Sequence, residues 1–180
     1  AYLRCDAHEA ARRIAALGYA GIELMADAPH LWPAAATDAQ IDALRGTLDR
    51  AGLAISNVNA FMMQAVGDAR HPYWHPSWIE ADASLRRVRV EHTIAALRMA
   101  AKLRAPSITT EPGGPLEGGG ALEGGMSRER AMDVFVAGLS EALRVAEDVG
   151  VRLLVEPEPG LLIENVAQTL ELCGRVRSPA

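Results

Sequence analysis

The sequence predicts an α/β fold of the (β/α)8 TIM-barrel type, present here as a partial barrel of about four strands and five helices. Three observations carry this expectation. Amphipathic helical stretches alternate with short apolar stretches along the whole chain. Each short stretch is followed by another helix, so its neighbours are expected to run parallel, joined by right-handed crossovers. Acidic or amide residues stand just past several short stretches, the place where a parallel barrel gathers its chemistry. An open doubly wound sheet would share the first two features; the regular repetition and the strand-end polar residues favour the barrel.

The elements follow in order. Asp6 can cap a helix reaching to Leu17, with Glu9 three residues on and Ala10, Ala11, Ile14 and Leu17 sharing a face. Gly18 ends it, and Tyr19-Ala-Gly-Ile-Glu-Leu24 reads as a strand. Thr37 and Gln40 form a T-x-x-Q box before a helix striped by Ile41, Leu44 and Leu48; Gly52 stops it ahead of the strand Leu53–Val58. The third helix spans about 83–103 with Val90, Ile94, Leu97 and Ala101 inward. His92 falls on its outer side, and Arg104 stands where a glycine is expected, before the strand Ser107–Thr110. A fourth helix starts at Ser127 with Val134, Leu139, Leu143 and Ala146 inward, and Gly150 leads into the strand Val151–Val155. Asn165 caps a fifth helix reaching about Cys173. Runs such as Leu153-Leu154-Val155 suit a sheet covered by helices. The stretch 112–125 is glycine-rich and reads as a mobile or tightly turned loop.

One domain over residues 1–180 is expected, and an incomplete one. The chain opens and closes on helices, and a barrel needs eight strands, so the first strand and the last three are expected to be absent. A half-barrel alone would leave two unpaired sheet edges. Native mass spectrometry returning only this 180-residue chain would contradict the expectation.

Composition narrows the function. Eighteen basic against 23 acidic residues give a net charge of -5, which argues against nucleic-acid and polybasic membrane partners. No apolar run reaches the ~18 residues of a spanning helix. Cys5 and Cys173, far apart and outside any CxxC, read as reduced thiols of a cytoplasmic protein. Lys102 is the single lysine and lies within a helix, which disfavours Schiff-base chemistry and a Walker phosphate loop. HExxH, GxSxG and a strand-following GxGxxG are absent.

The sharpest local signal is Val155-Glu-Pro-Glu-Pro-Gly160: an apolar strand runs into Glu156, and Pro157 stops the ladder. A carboxylate there needs a cation, either a metal ion or an arginine. Glu111 occupies the matching place in Thr109-Thr-Glu-Pro-Gly113, with a rim-polarising role as the plainer alternative. Glu158 is expected in reach of substrate or simply solvated. Asn59 could bond a sugar hydroxyl or serve its own turn. His30 and Trp32, in the loop after the first strand, could line a polyol pocket. Glu23 could face the barrel or pair with a helix arginine. His71 and His75 have an HxxxH spacing that Pro72 and Pro76 deny to a helix.

Three segments together resemble one family: Leu17-Gly-Tyr-Ala-Gly-Ile-Glu-Leu24, the helix Arg89–Leu103 with its strand, and Ala146-Glu-Asp-Val-Gly-Val-Arg-Leu-Leu-Val-Glu-Pro157. They look like the sugar phosphate isomerase/epimerase group of xylose isomerase-like TIM barrels, related in fold to endonuclease IV. The resemblance covers nearly the whole chain. It implies a divalent metal (Mn2+, Mg2+, Co2+ or Zn2+) held at the barrel mouth by carboxylates and a histidine. It also implies that Glu156, matching the glutamate that ends the fifth barrel strand, is a metal ligand and an acid/base residue. The other ligands would come from strands this sequence lacks. Arg104 in place of glycine and the Pro-Glu-Pro-Gly after Glu156 depart from the usual pattern.

The function expected on these grounds is metal-dependent isomerisation or epimerisation of a sugar or sugar-like hydroxy-carbonyl compound, by proton transfer through an enediolate. Glu156 would be catalytic, with His30, Trp32, Asn59, Glu111 and Glu158 around the substrate. Rival expectations are another metal-dependent reaction in the same barrel (dehydration, glycoside cleavage, endonuclease IV-like hydrolysis) and a non-catalytic accessory barrel. A small sugar-like molecule is the expected partner, and homo-oligomerisation stays open.

Overall fold

The computed structural model describes residues 4–61, 75–114, 116–117, 121–122 and 126–180. His71 lies outside them. In chain order the elements are α1 (Ala7–Ala16), β1 (Gly21–Met25), α2 (Asp38–Ala51), β2 (Ala54–Asn59), α3 (Ala83–Leu103), β3 (Ser107–Thr110), β4 (Leu116–Glu117), β5 (Ala121–Leu122), α4 (Arg128–Val149), β6 (Arg152–Val155) and α5 (Val166–Arg175). The four longer strands form one parallel sheet in the order β1-β2-β3-β6, and β4 and β5 pair antiparallel inside the glycine-rich stretch. This is the alternating partial barrel that the residue pattern predicts. The β4–β5 pair is the addition to it.

Local chemistry sets the boundaries. Asp6, Thr37, Asp82, Ser127 and Asn165 each cap their helix by accepting a backbone N–H of its first turn. At Thr37 the reciprocal bond from its own amide to Gln40 completes the capping box. At Asp6 only half of the expected box forms, because Glu9 turns to Arg12 and Arg13. Gly52 and Gly150 close α2 and α4 in the left-handed region, and Arg104 does the same for α3 at φ 59°.

The core lies between the helices and one face of the sheet. Ile22 and Leu24 of β1, Val58 of β2, Ile108 of β3 and Leu153 of β6 point into it. Between α3 and α4, Trp78 packs edge-on against Phe135 at 5.6 Å. Gly138 has no room for a side chain without pressing on Val90 and Trp78.

Two helix-face expectations, for Leu17 and His92, are corrected by this packing. Leu17 is 66% exposed, because α1 ends before it, beside β1, an outermost strand of the sheet. Ile94 and Ala101 are half-buried and pack against the core as expected, and Val134 is half-buried. The buried stripe of α3 also includes Arg89, His92, Thr93 and Ala96, so His92 is interior and not on the outer side. The stripe runs through positions with polar heads, which a hydrophobic periodicity cannot register.

Candidate functional site at the carboxyl ends of the strands

Side chains on the sheet's other face alternate with the core residues. In β6, Leu153 is buried while Arg152 and Leu154 are exposed on the open face. The backbone ladder continues one step past the strand, where the Glu156 amide donates to Thr110 O at 3.0 Å. Glu156 therefore keeps the register of Arg152 and Leu154. Its carboxylate is exposed and has no hydrogen bond or ion pair among the described residues.

Further down the same face, β1, β2 and β3 share a polar network. A register shift between Ile22 and Glu23 sets Asn57 opposite Glu23. Without that bulge Asn57 would stand opposite Leu24, on the core face. Asn57 Nδ2 donates to Glu23 Oε1 and to Thr109 Oγ1, both at 2.7 Å, and Ser107 Oγ donates to Asn57 Oδ1 at 2.8 Å. Of the two places considered for Glu23, it takes the sheet's open face.

The remaining candidates divide into two groups. His30 and Asn59 meet in a cleft of 520 Å3 beside β1, together with Glu23 and Met25. His30 Nδ1 accepts the Met25 amide at 3.2 Å, a bond that fixes the tautomer with its proton on Nε2. Asn59 Oδ1 accepts the Phe61 amide at 2.9 Å, the turn-forming bond considered for it. Trp32 is half-buried, with its ring 5.0 Å from that of His92. The loop after β1 is thereby seated on α3. Burial pushes the His92 imidazole down to about 3, and nearby Arg89 adds to the shift, so His92 is neutral.

Glu111 belongs to the second group. It is fully buried, with Oε2 3.1 Å from Nη1 of the equally buried Arg89 and 3.2 Å from Thr110 Oγ1. Burial pushes its carboxyl up to about 7 despite the opposing pull of Arg89. Glu158 lies close enough to add to that rise, and its backbone is tied to the following loop: its N–H donates to Ile163 O, and its carbonyl accepts from Leu161 N. The ends of β3 and β6 are further laced by Leu162 N to Gly113 O at 2.7 Å. Leu161, Leu162 and Ile163 are buried beneath. His75, the other half of the HxxxH spacing, contacts Glu80 at 2.9 Å.

The sequence reading missed Arg89, Asp27, Glu80 and the Asn57 network. Asp27 is fully buried and, with Glu80, contributes to the field on Arg89. A signal was present only for Arg89, which shares the helical period of Thr93 and Ala96.

As a metal site the arrangement supplies one donor. The carboxylate of Glu156, without a partner among the described residues, has the chemistry to meet a divalent cation. No group of three or more His, Cys, Asp or Glu able to hold a metal occurs among the described residues. No helix among them is long and apolar enough to cross a membrane.

Comparison with known proteins agrees with this architecture. Among solved structures, a D-tagatose 3-epimerase-like protein superposes with TM-score 0.72 at 21% identity, covering 92% of this chain and 55% of its own. The 3-keto-D-glucoside 4-epimerase from E. coli superposes with TM-score 0.72 at 13% identity, covering 97% and 60%. A Mycobacterium smegmatis xylose isomerase-like TIM barrel protein in complex with magnesium gives TM-score 0.68 at 17% identity, covering 96% and 53%. The chain thus spans little more than half the length of these structures. No curated protein sequence matches it. A family model described as a xylose isomerase-like TIM barrel matches residues 11–180, and the chain belongs to that family.

Proposed function

We propose that this chain contributes half of the active site of a metal-dependent isomerase or epimerase acting on a sugar or sugar-like hydroxy-carbonyl compound. The observation that carries the reading is Glu156: an exposed carboxylate at the carboxyl end of a parallel strand, without an ion pair among the described residues and kept in the register of the sheet's open face by its amide bond to Thr110. A buried ion pair there would have spent the same side chain on structure. Structural neighbours described as D-tagatose 3-epimerase-like, D-psicose 3-epimerase and 3-keto-D-glucoside 4-epimerase support a sugar substrate. The neighbour complexed with magnesium supports a divalent ion, for which Mn2+, Mg2+, Co2+ and Zn2+ are the candidates.

Glu156 would be both a ligand and the residue that takes the proton α to the carbonyl. A bound divalent ion would supply the positive charge that stabilises an oxyanion on the substrate. His30 and Asn59, sharing the cleft beside β1, would bond hydroxyl groups. Trp32 would wall the pocket from its seat on His92, and Glu158 would border it. Glu111 would act from beneath, through the backbone it supports. An acidic chain of net charge -5 fits a neutral sugar better than a polyanionic DNA, despite a structural neighbour described as a family 2 AP endonuclease from Brucella melitensis.

The test is a full-length protein incubated with D-tagatose, D-psicose or D-fructose and Mn2+ in D2O. NMR should show epimer formation with deuterium entering at the carbon that inverts, dependent on the metal and abolished in Glu156→Gln. Undiminished exchange in that variant would refute the assignment of Glu156.

A further inference from the structure

Arg89 is a fully buried cation for which the proposed chemistry has no direct use. Its guanidinium reaches three separate segments. Nε donates to Pro76 O at 2.8 Å; Nη1 lies 3.1 Å from Glu111 Oε2 and makes a longer contact, 3.4 Å, to Ala60 O. Pro76 is on the approach to α3, Ala60 directly follows Asn59 at the end of β2, and Glu111 directly follows β3. Ala60 is also bonded through its amide to Thr109 O at 2.8 Å, and Thr110 O accepts the amide of Glu156. One side chain therefore touches the backbone beside Asn59 and lies one residue from the carbonyl that holds Glu156.

Stability gives little reason to bury such a pair, since apolar residues of similar volume commonly serve as well. Geometry gives a better one. A rigid, planar fork with five donors can hold acceptors in fixed mutual directions, which an ammonium group on a flexible stem cannot. Asp27 and Glu80 lie close enough to reinforce the charge.

We propose that Arg89 is a positioning residue: its guanidinium clamps the carboxyl ends of β2 and β3 and thereby sets Asn59 and the Glu156 backbone toward the substrate. The consequence for turnover rests on the isomerase/epimerase reading; the consequence for the strand ends does not. The test uses full-length protein carrying Arg89→Met with Glu111→Leu, which removes both buried charges together, and Arg89→Lys, which keeps the charge without the fork. Amide hydrogen exchange in residues 58–60 and 110–114 should quicken at least tenfold in both variants, while α1 and α2 stay as in the wild type. On the ketohexoses above, kcat/KM should fall at least thirtyfold, mostly through KM, with Arg89→Lys recovering less than a tenth of the loss. Unchanged protection at those two segments in a folded variant overturns the clamp, whatever the substrate. Unchanged kcat/KM, where the wild type is active, overturns the positioning role. Should the double variant not fold, Arg89→Lys provides the same comparison. Altered protection combined with a wild type inert toward every ketose would support the clamp and defeat the isomerase/epimerase reading separately.

Discussion

Two Glu-Pro dipeptides end successive strands of the large sheet, and the protein uses them in opposite ways. Glu111 closes β3, which lies between β2 and β6, under the loops that carry Ser77 and Leu162. Its carboxylate is sealed from water and answered by Arg89. Glu156 closes β6, an outermost strand, and its carboxylate faces solvent with no partner among the described residues. The dipeptide fixes where a carboxylate leaves the sheet. What happens to it is decided by coverage, and by whether a cation arrives from elsewhere in the chain.

The comparison is broken most directly by neutralising each carboxylate in turn. Glu156→Gln should lower metal-dependent turnover by about 10³-fold, the range typical of losing a proton-transfer group, while leaving unfolding free energy within about 0.5 kcal/mol. A large stability loss with intact turnover would mean that Glu156 is the structural one of the two. On the other side, Arg89→Met at pH 8, where Glu111 of the wild type is ionised, should destabilise by about 3–5 kcal/mol, because it leaves a buried carboxyl group without its cation. Chemical denaturation measures this, and adding Glu111→Leu should recover most of it.

A pH series sharpens the contrast. Burial raises Glu111 in the folded chain to about 7, above its ordinary value of 4.5. A carboxyl that holds its proton more tightly when folded contributes stability in full below about pH 4.5, and that contribution is lost as pH rises through about 7. Between pH 5 and pH 8 the wild type should therefore lose about 2–3 kcal/mol relative to Glu111→Gln, from a shift of this size. Urea unfolding at both pH values gives the difference directly. A pH-independent difference would mean that Glu111 stays ionised against Arg89 throughout.

Legibility in the sequence follows the same division. Caps, glycine stops and apolar stripes depend on neighbours three or four residues away, so α2, with its Thr37–Gln40 box and Gly52, was readable almost to its ends. The positions of Glu111 and Glu156 at strand ends were readable for the same reason. The fate of Glu111 was not, because Arg89 meets it only after α3 folds against the sheet. His92 shows the limit most plainly. Flanked by Glu91 and close to Arg89, it looks like a surface residue, yet its period of burial is set by Thr93, Ala96 and the Trp32 ring that packs on it. Asn57 escaped notice because its facing depends on a one-residue bulge that no alternation of residue types announces.

The smallest effect lies at the opposite ends of the same two strands. β6 is entered from Gly150 at φ 69°, and β3 from Arg104 at φ 59°, so both helices end in the same left-handed turn with different residues. The Arg104 amide bonds back to Ala100 and Ala101, as the Gly150 amide does to Ala146 and Glu147. A side chain in that region costs about 1–2 kcal/mol, while glycine would give back part of the gain, about 0.5–1 kcal/mol, through the freer unfolded chain. Arg104→Gly should therefore stabilise by roughly 0.5–1 kcal/mol, and Gly150→Ala should destabilise by about 1 kcal/mol. In thermal melts each change of about 1 kcal/mol is a shift of about 2–4 °C for a chain of this size. Arg104 is exposed, so little packing is lost with its side chain. If Arg104→Gly instead lowers the melting temperature, its guanidinium holds the entry to β3 through contacts that outweigh the backbone strain, and the two strand entries differ in kind.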